Sequence, residues 1–352
     1  MRRLYTIFCL VLLTLSLGAC QFAREREAHR SQALLNEADL LISTRELGKA
    51  ADLCQDALDK LAPLLTEQPD HLDFQLLQIR ALITKFIAQN VLVMEDAKIR
   101  PRSLVRLPDP TLYVDYNNTI PEAENRLLMV TGRIGELTDE QAAFVHGMLA
   151  AIYRLKDDTL DKAVLEYDKA VARYDLQLAE AVKDRKANKN KIEQFESKIR
   201  SLRMAQAEVL LLGEDWNEAL EQLKTAMAGG DLKYFDLHFD LLENTIKDIE
   251  EAIAAEQARD RGSREAKLRA ALEKKKQKAY SKREQLGGYN PYQVALIKNR
   301  IELGDTQNNL IYRMICYYQL GQNKDYQKAR EILTKHYPEL STELDSKLRQ
   351  YR

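Results

Sequence analysis

An all-α fold is predicted by three features of the sequence. Helix breakers are few, with 13 Gly and 8 Pro in 352 residues. Ala, Leu, Glu and Lys are abundant, and charged residues make up 30% of the chain, a composition that suits amphipathic helices. Apolar positions recur at spacings of three and four along most of the chain, and no segment alternates apolar and polar residues toward a hairpin turn. The formal net charge is −1, which excludes the basic footprint of a nucleic-acid binder.

The N-terminus is a separate element. Met1-Arg2-Arg3 is a positive start, and Leu4 to Leu17 is an apolar core. That core is shorter than the roughly 20 residues a membrane-spanning helix needs. It ends on small residues, the form of a removable secretory signal over residues 1–19. Leu17-Gly18-Ala19-Cys20 resembles the lipobox of bacterial lipoproteins at all four positions. The resemblance implies diacylglycerol on the Cys20 sulfur, cleavage before Cys20 and acylation of the new amine. Several acyl chains make such an anchor effectively permanent. Gln21 follows, not Asp. By the same resemblance this implies a bacterial cell envelope protein on the periplasmic face of the outer membrane. The other reading is an ordinary signal in which Cys20 is incidental. Cys9 leaves with the signal, so Cys54 and Cys316 remain. Both stand in apolar helical patterns and are expected to be buried free thiols, although an exported protein could join them.

Gln21 to His29 is charged and is expected to be a solvated tether, with a helix starting at Ser31 or Asn36. From there Leu34, Ala38 and Leu41 mark one helix face. Glu46-Leu47-Gly48-Lys49 is a turn, Ala50, Cys54, Ala57 and Leu58 mark the next face, and Pro63 closes the unit. This pattern resembles a tetratricopeptide repeat (TPR), a family that stacks antiparallel helix pairs of about 34 residues. The second-helix signature returns at Ala163-Tyr167-Ala170, at Trp216-Ala219-Leu223-Ala226 and at Tyr326-Ala329-Leu333, with Pro338 beyond. The resemblance implies a TPR-like helical-hairpin solenoid; a non-repeat helical bundle is the alternative. Between the units, Asp70 can cap a helix to about Met94. Pro121 suits a first helical position, and Thr138 with Gln141 forms a capping box.

Two long segments interrupt the repeats as antiparallel coiled-coil hairpin insertions. Val164, Tyr167, Val171, Tyr174 and Leu178 keep a coiled-coil register that resumes at Ile192, Phe195, Ile199 and Leu202. Between them Lys183 to Lys191 is almost free of apolar residues. A single helix of about 75 Å would separate neighbouring repeats, so a hairpin turning near Asn188 is expected. In the second segment Phe235, Phe239, Leu242, Ile246, Ile249 and Ile253 form one seam, Arg261-Gly262-Ser263 a break, and Leu268, Leu272, Ala279 and Leu286 a return seam. The first arm is acidic and the second basic, so they are expected to pair. Lys274-Lys275-Lys276-Gln277-Lys278 is then the solvated face of the return arm rather than a polyanion site.

Arg100 to Thr119 is the one long irregular stretch. Loops of this length are usually functional or disordered. The alternative is a crossover packed on its own domain. The organisation expected is a signal at 1–19, a lipidated N-terminus and tether at 20–30, and a TPR-like region at 31–160 with a loop at 100–119. TPR-like units with a hairpin tipped near 183–191 follow at 161–230. A second hairpin occupies 231–288, and a TPR-like unit with a capping helix occupies 289–352.

No catalytic, cofactor or metal site is expected. The five histidines stand alone in sequence, and there is no phosphate loop, nucleophile elbow or dinucleotide fingerprint. The functional expectation is a non-enzymatic scaffold lipoprotein that binds other envelope proteins and meets the membrane through lipid on Cys20. The alternative is a component holding a small or lipidic solute between repeats, which needs a closed, mostly apolar pocket. Candidate partner-binding residues are Arg102, Tyr113 and Tyr116 in the loop and Lys186 and Lys189 at the first hairpin tip, the latter toward something anionic.

Overall fold

The computed structural model describes residues 23–42, 44–99, 110–227, 231–262 and 291–350, all in helices and the turns that join them. The helices are α1 (23–42), α2 (Leu47–Glu67), α3 (Leu72–Ile99), α4 (Tyr116–Thr131), α5 (Asp139–Tyr153), α6 (Leu160–Val182), α7 (Lys189–Leu212), α8 (Trp216–Ala226), α9 (Lys233–Gly262), α10 (Pro291–Gln319), α11 (Asn323–His336) and α12 (Pro338–Gln350). The chain divides into two compact units. Their described residues run to Gln89 and from Asn90.

In the first unit α1 and α2 run antiparallel. Leu35, Ala38 and Leu41 face Ala50, Cys54 and Ala57, and all are buried. The small residues let the helices approach closely. Two expectations change here. Residues 23–30 are the first turns of α1 rather than a tether. Ala28 packs on Leu61, Leu64 and Phe74, Arg24 pairs with Glu67 at 2.9 Å, and the buried Ser31 hydroxyl donates to the Glu27 carbonyl. Pro63 lies inside α2 and does not end it. Burial of Leu61 and Leu64 on either side carries the helix to Glu67, and Pro69 stands in the loop that follows. The next helix opens at Leu72, two residues after Asp70, and runs five residues beyond Met94.

One turn recurs three times. Arg45, Glu214 and Gly321 have left-handed backbones, with φ 66°, 60° and 67°. In each case the next amide reaches back five residues: Glu46 to Leu41, Asp215 to Leu210, Gln322 to Tyr317, at 2.8–2.9 Å. The left-handed residue's own amide bonds three back, to Ile42, Leu211 and Tyr318. This is the Schellman closure of a helix C-terminus. It turns the chain directly into the next helix. Five residues on stand buried Ala50, Ala219 and Tyr326, and twelve on stand Ala57, Ala226 and Leu333. The turns fall at Thr44–Glu46 and Gly213–Asp215. Gly48 is inside α2, and the residue after Gly213 takes the left-handed backbone.

In the second unit Asp115, with φ 57°, opens α4 by accepting the Thr119 amide on its carbonyl. Pro121 is therefore the sixth residue of α4 rather than its first. Thr138 and Gln141 form the expected reciprocal capping box on α5. The hairpin of α6 and α7 turns over Lys183–Asn188. Its antiparallel register is fixed by Tyr174 against Phe195 and by Gln206 bonding Asp168 at 2.7 Å. It is not a detached insertion. Its base packs on α5 through Ala150, Ala163, Tyr167 and Val209, and α5 to α8 form one run of packed neighbours.

In the second segment Phe235, Phe239 and Leu242 are buried as the expected seam, and α9 packs against α10. Glu250 pairs with Arg300 at 2.7 Å and Glu302 with His238 at 3.3 Å. The proposed return arm, with Lys274–Lys278 and Gly287-Gly288, lies outside the described residues. The helix Pro291–Gln319 thus serves both as partner to α9 and as first arm of the pair closed by α11. Pro338 opens α12, where its missing amide costs nothing.

Candidate functional site

Cys20 and Arg102 lie outside the described residues. Tyr113 is buried, and its ring stacks on Tyr116 with centroids 5.8 Å apart. Burial pushes the Tyr113 phenol up to about 12. Asn90 Nδ2 donates to the Val114 carbonyl at 3.1 Å while the Val114 amide donates to Asn90 Oδ1 at 2.6 Å. The Tyr116 hydroxyl donates to the Leu155 carbonyl. The described end of the loop is therefore clamped onto its own unit, with Leu112 and Val114 exposed instead. Lys186 and Lys189 are exposed at the tip of the α6/α7 hairpin.

The polar chemistry that the sequence did not flag lies between helices. Arg154 pairs with Glu208 at 2.6 Å, and the Tyr312 hydroxyl donates to Glu208 at 2.9 Å. This links α5, α7 and α10. Burial and the Glu208 carboxylate drive the Tyr312 phenol well above its usual range. Arg313 is fully buried. It donates to the carbonyls of Leu223 and Met227 and lies 4.9 Å over the Phe235 ring. A sequence signal for it does exist: Arg313 is a lone charge in the apolar run Leu310 to Tyr318.

Two clusters resemble functional chemistry. His146 Nδ1 and Glu166 Oε2 are 2.6 Å apart and mostly shielded, while Lys169 takes the other Glu166 oxygen. An imidazole–carboxylate pair can orient a base. Among the described residues no nucleophile bonds the other ring nitrogen of His146, so the pair reads as a tie between α5 and α6. Asp236, Asp240 and His336 hold ligand-type atoms within 4.8 Å of one another. Lys335 Nζ stands 2.7 Å from Asp236 and 3.4 Å from Asp240, and Tyr337 donates to Glu243. Lys335 supplies the counter-charge there, and the cluster pins the end of α11 to α9.

Cys54 and Cys316 are buried and free, as the apolar patterns predict, and burial pushes both thiols up to about 12. Neither is a thiolate nucleophile at neutral pH. A concavity of about 430 Å³ in the first unit is lined by Glu37, Leu41, Glu46, Lys49, Asp52 and Leu53. It is open and carries three carboxylates, not the apolar enclosure a lipidic solute needs. Among the described residues no helix is long and apolar enough to cross a membrane.

Comparison with protein-family models, with characterised proteins and with solved structures returns no match.

Proposed function

We propose that this protein is a lipid-anchored, non-enzymatic scaffold of a bacterial cell envelope, held on the membrane through Cys20 and presenting a TPR-like helical-hairpin body to another envelope protein. The observation that carries the reading is Leu17-Gly18-Ala19-Cys20 closing a charged, then apolar, N-terminal stretch. The helix α1 opens at residue 23, so the body begins within three residues of the acylated cysteine. The three matching turns at Arg45, Glu214 and Gly321 support a body built from repeated helix pairs. The binding role is supported by Leu237 and Leu241. They lie one turn apart on α9 and remain 71% and 61% exposed. Adjacent apolar side chains left in water on one helix face are the usual nucleus of a protein interface.

Photoreactive side chains at Leu237 and Leu241, introduced in the native envelope, test the binding role. The expected result is one discrete protein adduct from both positions, lost in Leu237→Glu and Leu241→Glu. Absence of any protein adduct from either position contradicts the scaffold reading.

A further inference from the structure

The α6/α7 hairpin reaches beyond the rest of its unit. Its last ties to α5 are Arg173 to Asp139, at 2.7 Å, and Lys198 to Glu140. Beyond Arg173 the α6 arm continues for nine residues to Val182, about 14 Å of helix. Between 183 and 191 stand Lys183, Arg185, Lys186, Lys189 and Lys191 against one acid, Asp184.

Folding uses some of these charges and leaves others. Glu180 takes Lys183 and Glu193 lies 3.9 Å from Lys189, while Asp184 accepts the Ala187 amide. Arg185, Lys186 and Lys191 form no ion pair among the described residues, and all three are exposed. The positive end of the α7 dipole, which starts at Lys189, adds to the same field.

From this we infer that the tip of the α6/α7 hairpin docks on the phosphate headgroups of an anionic lipid surface, through Arg185, Lys186 and Lys191. A protein partner fits less well. Stable protein interfaces bury on the order of 1,000 Å² around an apolar or aromatic centre. Beyond Arg173 the α6 arm exposes one large apolar side chain, Leu176, and from 177 to 195, around the basic tip, none is exposed. An anionic bilayer needs no such centre, because basic side chains near its surface bind by charge alone, at about fivefold in partitioning for each. The contact is distinct from the acyl anchor and does not depend on it.

The test places a benzophenone side chain at Ala187, which is exposed between Lys186 and Asn188, in the full chain. The protein is irradiated on phosphatidylcholine vesicles and on vesicles that also contain phosphatidylglycerol. Reading the adduct at the tip keeps the result separate from N-terminal attachment, which is equal on both vesicles. Lipid adducts are expected on phosphatidylglycerol-containing vesicles. They should fall by about a hundredfold, the product of three fivefold steps, in the triple variant Arg185→Gln, Lys186→Gln, Lys191→Gln, with unchanged helicity. Arg185→Lys should retain them. Equal adducts on both vesicles, equal adducts in the triple variant, or no lipid adduct at all overturns the inference. So does a protein adduct in place of lipid on envelope membranes.

Discussion

The Arg313 guanidinium donates from Nη2 to the Leu223 carbonyl at 3.0 Å, deep in the second unit. Leu223 lies in the last turn of α8, where its carbonyl also accepts the Met227 amide at 3.3 Å and the carbonyls carry the negative end of the helix dipole. Arg313 also takes the Met227 carbonyl, and Asn309 Nδ2 shares Leu223. A buried cation on α10 thus closes a neighbouring helix, with carbonyl oxygens and the Phe235 ring in place of a carboxylate.

Arg313→Leu should therefore destabilise the protein even though it puts an apolar side chain into an apolar core. The loss expected is about 2–3 kcal/mol, the scale of hydrogen bonds from a charged group, with the Met227 carbonyl left without its donor while Leu223 keeps Asn309. Urea unfolding of the variant checks it. A stability equal to or above that of the parent would show that the carbonyls find other donors.

The three matching turns predict substitutions of opposite sign. Glu214→Gly removes a side chain from a left-handed backbone and should stabilise by about 1 kcal/mol, whereas Gly321→Ala should cost about the same. Thermal melts of the two variants separate the cases. A destabilising Glu214→Gly would place the effect in the unfolded chain instead.

The ties from α11 to α9 predict an acid limb. Hydrogen bonds from Lys335 and then His336 hold the Asp236 carboxyl below its ordinary 3.8. Its folded pKa is depressed, so its contribution is present above pH 3.8 and lost as pH falls through the folded value. The close approach of His238 Nε2, at 3.3 Å, likewise holds Glu302 below its ordinary 4.5. Melting temperature should drop between pH 5 and pH 3, on the scale of these pKa values. The drop should be shallower in Asp236→Asn. An identical acid limb in that variant would place the sensitivity elsewhere.

The helical class, the buried thiols, the Thr138–Gln141 cap and a hairpin turn near Asn188 are all legible, because each follows from spacing or from a local hydrogen bond. Three things were hidden for physical reasons. The sequence puts the first turn at Glu46–Lys49, whereas Arg45, and likewise Glu214 rather than Gly213, takes the left-handed backbone, because the helices on both sides impose the closure. The acidic arm Asp231–Asp260 meets Pro291–Gln319, with Glu250 on Arg300, a contact 50 residues apart that no local charge pattern singles out. Tyr113 stands in a long loop, yet a two-way clamp between Asn90 and Val114, 24 residues apart, holds that loop with Tyr113 inward. The residue pairs at the candidate sites, Arg154 with Glu208 and Lys335 with Asp236, are 54 and 99 residues apart. No local pattern encodes them.

The central claim is attachment through Cys20, and radiolabelled palmitate incorporation with membrane fractionation tests it most directly. The parent protein should take up label and sediment with the envelope. Cys20→Ser should lose the label and leave the membrane fraction. Unchanged labelling and sedimentation in Cys20→Ser would contradict the account.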